Sequence, residues 1–341
     1  MQNIKNFTLM QLRNYAESIN QSSFRAEQVF SWLCKGVTSF DQMTNLPKNL
    51  QELLSKYFYI SAPEVYGRYL SKDGTVKYLW RLRDGELVES VLMEYKHGVS
   101  ICVSTQVGCN MGCRFCASGI GGKIRDLDAG EIADQIIFAQ LDSGRRISHV
   151  VLMGMGEPLD NFDSVVTFLR NVGNSKGLGI SYRHISLSTC GVVPKIYELA
   201  DLSFPVTLSV SLHAADNAVR ESIMPVSRKY SVYQLAEACR YFIRKTNRRI
   251  SFEYILINGV NDSVKDALLL ASLCRGMLCH VNLIPANPVE ESSFKRSTPS
   301  DIKKFKTCLE SRGVNVTVRR ELGSDISASC GQLRKRIKYG G

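Results

Sequence analysis

The stretch "VSICVSTQVGCNMGCRFCASG", residues 99–119, joins a short apolar run to a loop carrying Cys109, Cys113 and Cys116. The run reads as a strand. Three thiols directly after a strand stand where β/α folds place their chemistry, because ligands gather at the C-terminal ends of parallel strands.

From about residue 99 the chain keeps this style. Strand-like segments recur at 149–154, 183–189, 205–211, 249–257, 280–286 and 314–320. Helical patterns separate them at 129–142, 162–172, 193–200, 231–246, 263–275 and 300–312. Asn161 looks like a cap for the second helix, and Asp128 with Glu131 is a capping-box arrangement for the first. Alternating strands and amphipathic helices predict a parallel sheet covered by helices. Six or seven such units are too few for a closed eight-stranded barrel. The expectation is an α/β fold, a partial (β/α) barrel over residues 99–341.

Upstream the patterns differ. Residues 1–60 read as a small helical accessory domain, with Phe24, Val29, Phe30, Leu33 and Val37 near a helical period and Asn45 before Pro47 as a start signal. Residues 61–98 read as a short β-rich segment, whose "KDG" and "RDG" tripeptides are hairpin turns.

The 341 residues are 44% hydrophobic, enough for a sizeable core, and carry a net charge of +11. A basic chain favours polyanions, nucleic acid first, although an ordinary basic enzyme has the same balance. The basic clusters are "RKTNRR" at 244–249, Arg319–Arg320 and "RKRIK" at 334–338. No apolar h-region opens the chain and no run approaches the roughly 20 residues of a membrane span. Eleven cysteines without a secretion signal then argue for reduced thiols, a cytosolic protein and no membrane partner.

The C-x3-C-x2-C loop stands alone, without the second cysteine pair usual for structural zinc. Iron–sulfur clusters are held by thiolates, and three on a four-iron cube leave one iron open to chelate a small molecule. A zinc knuckle completed by Cys102 or His97 is the competing reading.

With Phe115 before the last cysteine, the loop is similar to the signature of the radical SAM superfamily. The segments "VESVLM", "CVSTQVGC", "VVLMGMGEPLDN", "ISLSTCGVVP", "VSLHAADNAVRESIMP", "CHVNLIPANP" and "ISASCGQL" further resemble the radical SAM dual-specificity RNA adenine carbon-2 methyltransferases, the RlmN family. The resemblance runs from about residue 24 to the C-terminus. It implies two cofactors, a 4Fe-4S cluster on Cys109, Cys113 and Cys116, and S-adenosylmethionine (SAM). It implies 23S rRNA and tRNA as substrates, an electron donor such as flavodoxin or ferredoxin, and a monomer.

The same resemblance assigns roles by motif. Cys330 is the residue methylated by a first SAM, and Cys102 is the cysteine that later resolves the protein–RNA crosslink. Glu89 of "VESVLM" corresponds to a proton acceptor. Gly156 and Glu157 of "GMGEP", Ser188, Ser211, Leu212, His213 and Asn287 correspond to the SAM pocket; all follow or end proposed strands. Read without the resemblance, Cys102 would be a buried small residue, Glu89 one more strand charge and His213 a structural histidine. Cys34, Cys190, Cys239, Cys274, Cys279 and Cys308 read as packing residues.

Carbon 2 of adenine lies between two ring nitrogens and is electron-poor, so it does not attack a sulfonium methyl. A radical route answers that problem. One departure stands out: Ser327 and Ser329 occupy positions where the family pattern is "IDAACGQL". Two other functions fit less well. A Cfr-type carbon-8 methyltransferase shares the cysteines, but Pro158 after Glu157 favours carbon 2. A non-catalytic zinc-dependent RNA-binding protein predicts zinc without sulfide.

Overall fold

The short apolar runs pair into one sheet in the computed structural model, which describes residues 1–287 and 294–333. Seven strands lie parallel in chain order: Gly98–Cys102, Ile147–Leu152, Ile185–Thr189, Thr207–Ser211, Ile250–Leu256, Cys279–Pro285 and Val316–Val318. Helices cover them, and the sheet stays open at the Val316–Val318 edge. This is the open α/β architecture expected from the spacing.

The other flank is antiparallel. Leu87–Tyr95 pairs with Gly98–Cys102, and Val76–Arg81 and Glu64–Leu70 follow outward, giving ten strands. Gly74 and Gly85 of the two Asp-Gly turns both take φ +86°, a conformation only glycine adopts readily. The β-rich 61–98 segment thus extends the barrel sheet. Tyr78, Trp80 and Val88 share one apolar core with Phe252 and Tyr254.

Helices Ala129–Ser143, Phe162–Val172, Val193–Asp201, Val232–Thr246, Val264–Cys274 and Pro299–Glu310 fall where the periodicity put them. The hydroxyls of Ser231, Ser263 and Thr298 accept N–H bonds three residues on and so fix three of the starts. A seventh, short helix at Asn217–Ile223 was not legible in the sequence. Asn161 precedes its helix, but its side chain donates instead to the carbonyls of Thr105 and Leu127. It pins the first loop to the second.

Near the N-terminus, helices Leu9–Ser18, Ser23–Cys34 and Lys48–Tyr57 enclose their own core of Ile4, Leu12, Phe30, Met43 and Leu50. Two expectations fail here. Phe24 is 59% exposed, because it sits in the first helical turn beyond the packed face. Asn45 does not start the third helix; Pro47 does, and Asn45 Oδ1 accepts from Trp32 Nε1 at 2.6 Å. The helical region is tied to the barrel by the buried Lys5–Asp134 ion pair, with Ser61 Oγ donating to Asp134 at 2.5 Å. No helix among the described residues is long and apolar enough to cross a membrane.

Candidate active site

The C-terminal ends of the parallel strands open into one cavity. Cys109, Cys113, Cys116, Gly156, Glu157, Ser188, Ser211, His213 and Cys330 all line it. Residues separated by two hundred positions converge because parallel strands all deliver their following loops to the same end of the sheet.

Burial dominates the thiols of the 108–119 loop. It pushes Cys109 up to about 12 and raises Cys113 and Cys116, and Cys113 is raised further by the neighbouring Cys116 and Cys109. Three desolvated thiols that feel one another's charge are a fitting donor set for an iron–sulfur cluster, which takes them as thiolates. Among the described residues no three Cys, His, Asp or Glu side chains close on a single-ion site. Phe115, between the last two cysteines, packs edge-on against His213 at 4.7 Å between ring centroids.

Gly156 has φ +103°, and a Cβ there would stand 2.6 Å from Gln106 Cβ and 2.8 Å from Gln106 N. The loop can lie this close to Gln106 only with glycine. Glu157 is buried; burial raises its carboxyl, opposed by N–H bonds from Cys190 at 2.7 Å and Leu159 at 2.9 Å. His213 Nδ1 accepts from Ile255 N–H at 3.0 Å, so the neutral ring carries its proton on Nε2. Burial lowers this histidine to about 3.

The Cys330 loop docks onto the cysteine loop. Ala117 N–H donates to Gly331 O at 2.7 Å, and Ser118 Oγ donates to Leu333 O at 2.6 Å. Asn287 Nδ2 donates to Cys330 O at 3.0 Å, so this strand-end asparagine meets the cavity only through the Cys330 loop. On the outer side, Gly323 N–H meets Asp73 Oδ2 at 2.9 Å and Ser71 Oγ meets Asp325 Oδ1 at 2.5 Å. The "KDG" hairpin thereby clamps the tail. Ser327 takes φ +51°, while Ser329 is buried with Oγ donating to Leu322 O at 3.1 Å.

Other expected residues sit differently. Leu212 turns its side chain into the core, and its N–H and carbonyl are engaged by Glu253 O and Arg220 Nε. Cys102 is 8% exposed and lies behind the cavity wall, where burial pushes its thiol up to about 12 and the charge of Cys330 raises it further. Glu89 is buried beside Lys77 at 3.3 Å, and Lys77 Nζ reaches Ser327 O at 3.4 Å. Glu89 and Cys102 share one sheet face, since Cys102 pairs with Val91, two residues from Glu89.

The basic clusters also separate. Arg320 is exposed, but Arg319 points inward and lines the cavity with Glu253, 3.7 Å away. Residues 244–249 end one helix and enter the Ile250–Leu256 strand, which puts them at the opposite end of the barrel from the cavity. The 334–338 cluster lies outside the described residues.

Sequence reasoning missed three residues. Cys190, taken as packing, lines the cavity and donates its N–H to Glu157. Glu253 joins it from mid-barrel. Arg220 is fully buried and donates to the carbonyls of Cys190, Ser211 and Leu212 at 2.6, 3.1 and 2.9 Å, joining two strand ends. Cys190 and Glu253 had a usable signal in their strand-end and alternating positions; Arg220 had none.

The radical SAM superfamily model matches residues 103–271, and the ribosomal RNA large subunit methyltransferase N-terminal domain model matches residues 2–60. A probable dual-specificity RNA methyltransferase RlmN of Clostridium botulinum (strain Alaska E43 / Type E3) is 55% identical, over 98% of this chain and 97% of that one. The chain belongs to the RlmN family of radical SAM RNA methyltransferases. Its RlmN counterpart in Clostridium novyi (strain NT) is 52% identical over 98% of both chains. A radical SAM methyltransferase crystal structure from Sphaerobacter thermophilus superposes with a TM-score of 0.92 at 41% identity, covering 98% of this chain and 99% of that one. Membership brings the 4Fe-4S cluster and SAM as cofactors, and in this RlmN-family enzyme the three thiols, Gly156, Glu157 and the strand-end Ser188, Ser211 and His213 line one cavity.

Proposed function

We propose that this enzyme methylates carbon 2 of adenosine in 23S rRNA and in tRNA, through an S-methylcysteine at Cys330. The observation that carries the reading is the docking of the Cys330 loop on the cysteine loop, with Cys330 and the three cluster cysteines lining one cavity. Cys109, Cys113 and Cys116 hold the cluster, while Gly156, Glu157, Ser188, Ser211, His213, Asn287 and the backbone of Leu212 hold SAM. When bound, these cofactors supply a methyl group and a carbon-centred radical.

The chain's own residues do the rest. The Cys330 thiolate takes the methyl group and becomes a thioether. Once a hydrogen atom of that S-methyl group has passed to the carbon-centred radical, the methylene carbon left on Cys330 bonds to carbon 2 of the adenine. The adduct must then lose one electron, for which the cluster held by Cys109, Cys113 and Cys116 would be the acceptor, and its carbon-2 proton, which goes to Glu89. The Cys102 thiolate attacks the Cys330 sulfur: the S–S bond forms, the S–C bond breaks, and the electron pair goes to the carbon on the base. That carbon takes a proton and is the new methyl group, and an external thiol reduces the disulfide. We further propose a monomer in the cytosol, supplied with electrons by a donor such as flavodoxin or ferredoxin.

The test is mass spectrometry of adenosine from RNA treated with anaerobically reconstituted enzyme. The reading expects 2-methyladenosine in both 23S rRNA and tRNA. 8-Methyladenosine in the rRNA alone would replace it with the Cfr-type reaction.

A further inference from the structure

We propose that Gln106 sets the spacing between the cluster loop and the SAM loop, its carboxamide gripping both ends of the turn that carries Glu157. This rests on the roles given above to Glu157 and to the three cluster cysteines.

The cysteine loop is closed at its base by a narrow neck. Strands Gln106–Gly108 and Lys123–Asp126 pair antiparallel there, with Gln106 opposite Asp126 and Gly108 opposite Lys123. Cys109 N–H donates to Gly122 O at 3.2 Å, and a Cβ at Gly108 would overlap that same oxygen. A neck this tight passes any shift of its strands on to Cys109, the next residue in the chain. Gln106 begins the neck and is fully buried.

Its side chain is engaged at both ends. Oε1 accepts from Glu157 N–H at 2.9 Å, while Nε2 donates to Asp126 Oδ1 at 2.8 Å and to Asp160 Oδ2 at 3.0 Å. The partners fix which end is which, since an N–H requires the amide oxygen and two carboxylates require its nitrogen. Glu157 and Asp160 bound a single turn, in which Asp160 N–H donates to Glu157 O at 3.1 Å. Lys123 Nζ bridges the same two aspartates, 2.9 Å from Asp160 and 3.3 Å from Asp126. Backbone N–H bonds from Thr105 and Gln106 to Met155 O also attach the SAM loop, but they lie on the other side of Gly156. Beyond that glycine, the side chains of Gln106 and Lys123 hold the turn to the neck.

The consequence follows from where the two loops must act. A cofactor that chelates the open iron and also meets Glu157 has to satisfy both loops at once, and a spacing fixed beforehand leaves less to reorganise on binding. Gln106 does not line the cavity. It acts through Glu157 and is a positioning residue.

The experiment uses anaerobically reconstituted enzyme. It measures SAM binding by calorimetry, and electron paramagnetic resonance of the reduced cluster with and without SAM. Gln106→Met keeps the side-chain length and loses both polar ends. It should retain iron and sulfide, bind SAM about tenfold more weakly, and lose most of the spectral change that SAM produces in the wild type. Gln106→Glu sets a third carboxylate against Asp126 and Asp160 and should weaken SAM binding at least as much. Adding Asp160→Asn gives that carboxylate an amide donor and should restore affinity to within about threefold of the wild type. A merely structural role predicts no such rescue. Should Gln106→Met fail to hold the cluster, Gln106→Glu with and without Asp160→Asn decides: rescue supports the proposal and its absence overturns it. Unchanged SAM affinity in a cluster-loaded Gln106→Met overturns it as well. A wild-type cluster that takes no SAM would sink the reading beneath it and the proposal together, which the wild-type control shows separately.

Discussion

Phe115 and His213 meet edge to face, with ring centroids 4.7 Å apart, and join the cysteine loop to a strand end on the far side of the cavity. His213 stands at φ +58°, a strained conformation for a histidine, and its carbonyl accepts from Asn261 Nδ2 at 2.6 Å. Backbone strain of this kind persists only where the surroundings over-determine it. Here two hydrogen bonds and a ring contact do so.

Because burial holds the folded His213 near 3, the unfolded chain binds a proton that the folded chain refuses as pH falls below the ordinary histidine value. Stability should therefore rise with pH between 3 and about 6.5, by about 1.4 kcal/mol per unit from this group alone. Urea denaturation of wild type and His213→Asn at pH 6.5 and 5 checks this. A slope unchanged by the substitution would show that His213 is protonated in the fold.

Gly156→Ala places a methyl group 2.6 Å from Gln106 Cβ at φ +103°. The loop must move, at a cost of about 1–3 kcal/mol. SAM affinity measured by calorimetry on reconstituted protein should fall at least about tenfold. An unaltered affinity would remove this loop from the SAM site.

Arg220→Met leaves the carbonyls of Cys190, Ser211 and Leu212 without their guanidinium donor. Losing buried partners of this kind costs about 1–3 kcal/mol each. Thermal unfolding should show a drop of several degrees, with the cavity residues losing protection in hydrogen exchange before the outer helices do.

Anaerobically purified protein should contain iron and sulfide, and Cys113→Ala should lose both while keeping its fold by circular dichroism. Stoichiometric zinc without iron would instead revive the zinc reading.

The two working cysteines should fail in different ways. Cys330→Ala has no sulfur to carry the methyl group, so it should form neither methylated RNA nor a crosslink. Cys102→Ala should stall with RNA bound to Cys330, a species that survives a denaturing gel and shrinks to a nucleotide-sized mass addition after nuclease digestion. Normal turnover of Cys102→Ala, or a crosslink mapped elsewhere, would overturn both roles.

The order of strands and helices, the cysteine loop and the strand-end polar residues were legible in the linear sequence because each is a local signal. Hydrophobic period, capping residues and the spacing of thiols act over a few positions. What faces what is not local. Arg319 and Arg320 are chemically identical neighbours, and only strand alternation at the open edge turns one into the barrel and the other to solvent. The 244–249 cluster reads as another basic patch until the parallel topology puts a helix end at the opposite pole from the cavity. Leu212 goes into the core while Cys190 lines the cavity, and the buried Arg220 holds the carbonyls of both, a contact between residues eight and thirty positions apart. The sequence by itself determined a radical SAM fold and its thiols; the tertiary structure decided which charges the thiols meet, since burial and pairing across distant strands set those fields.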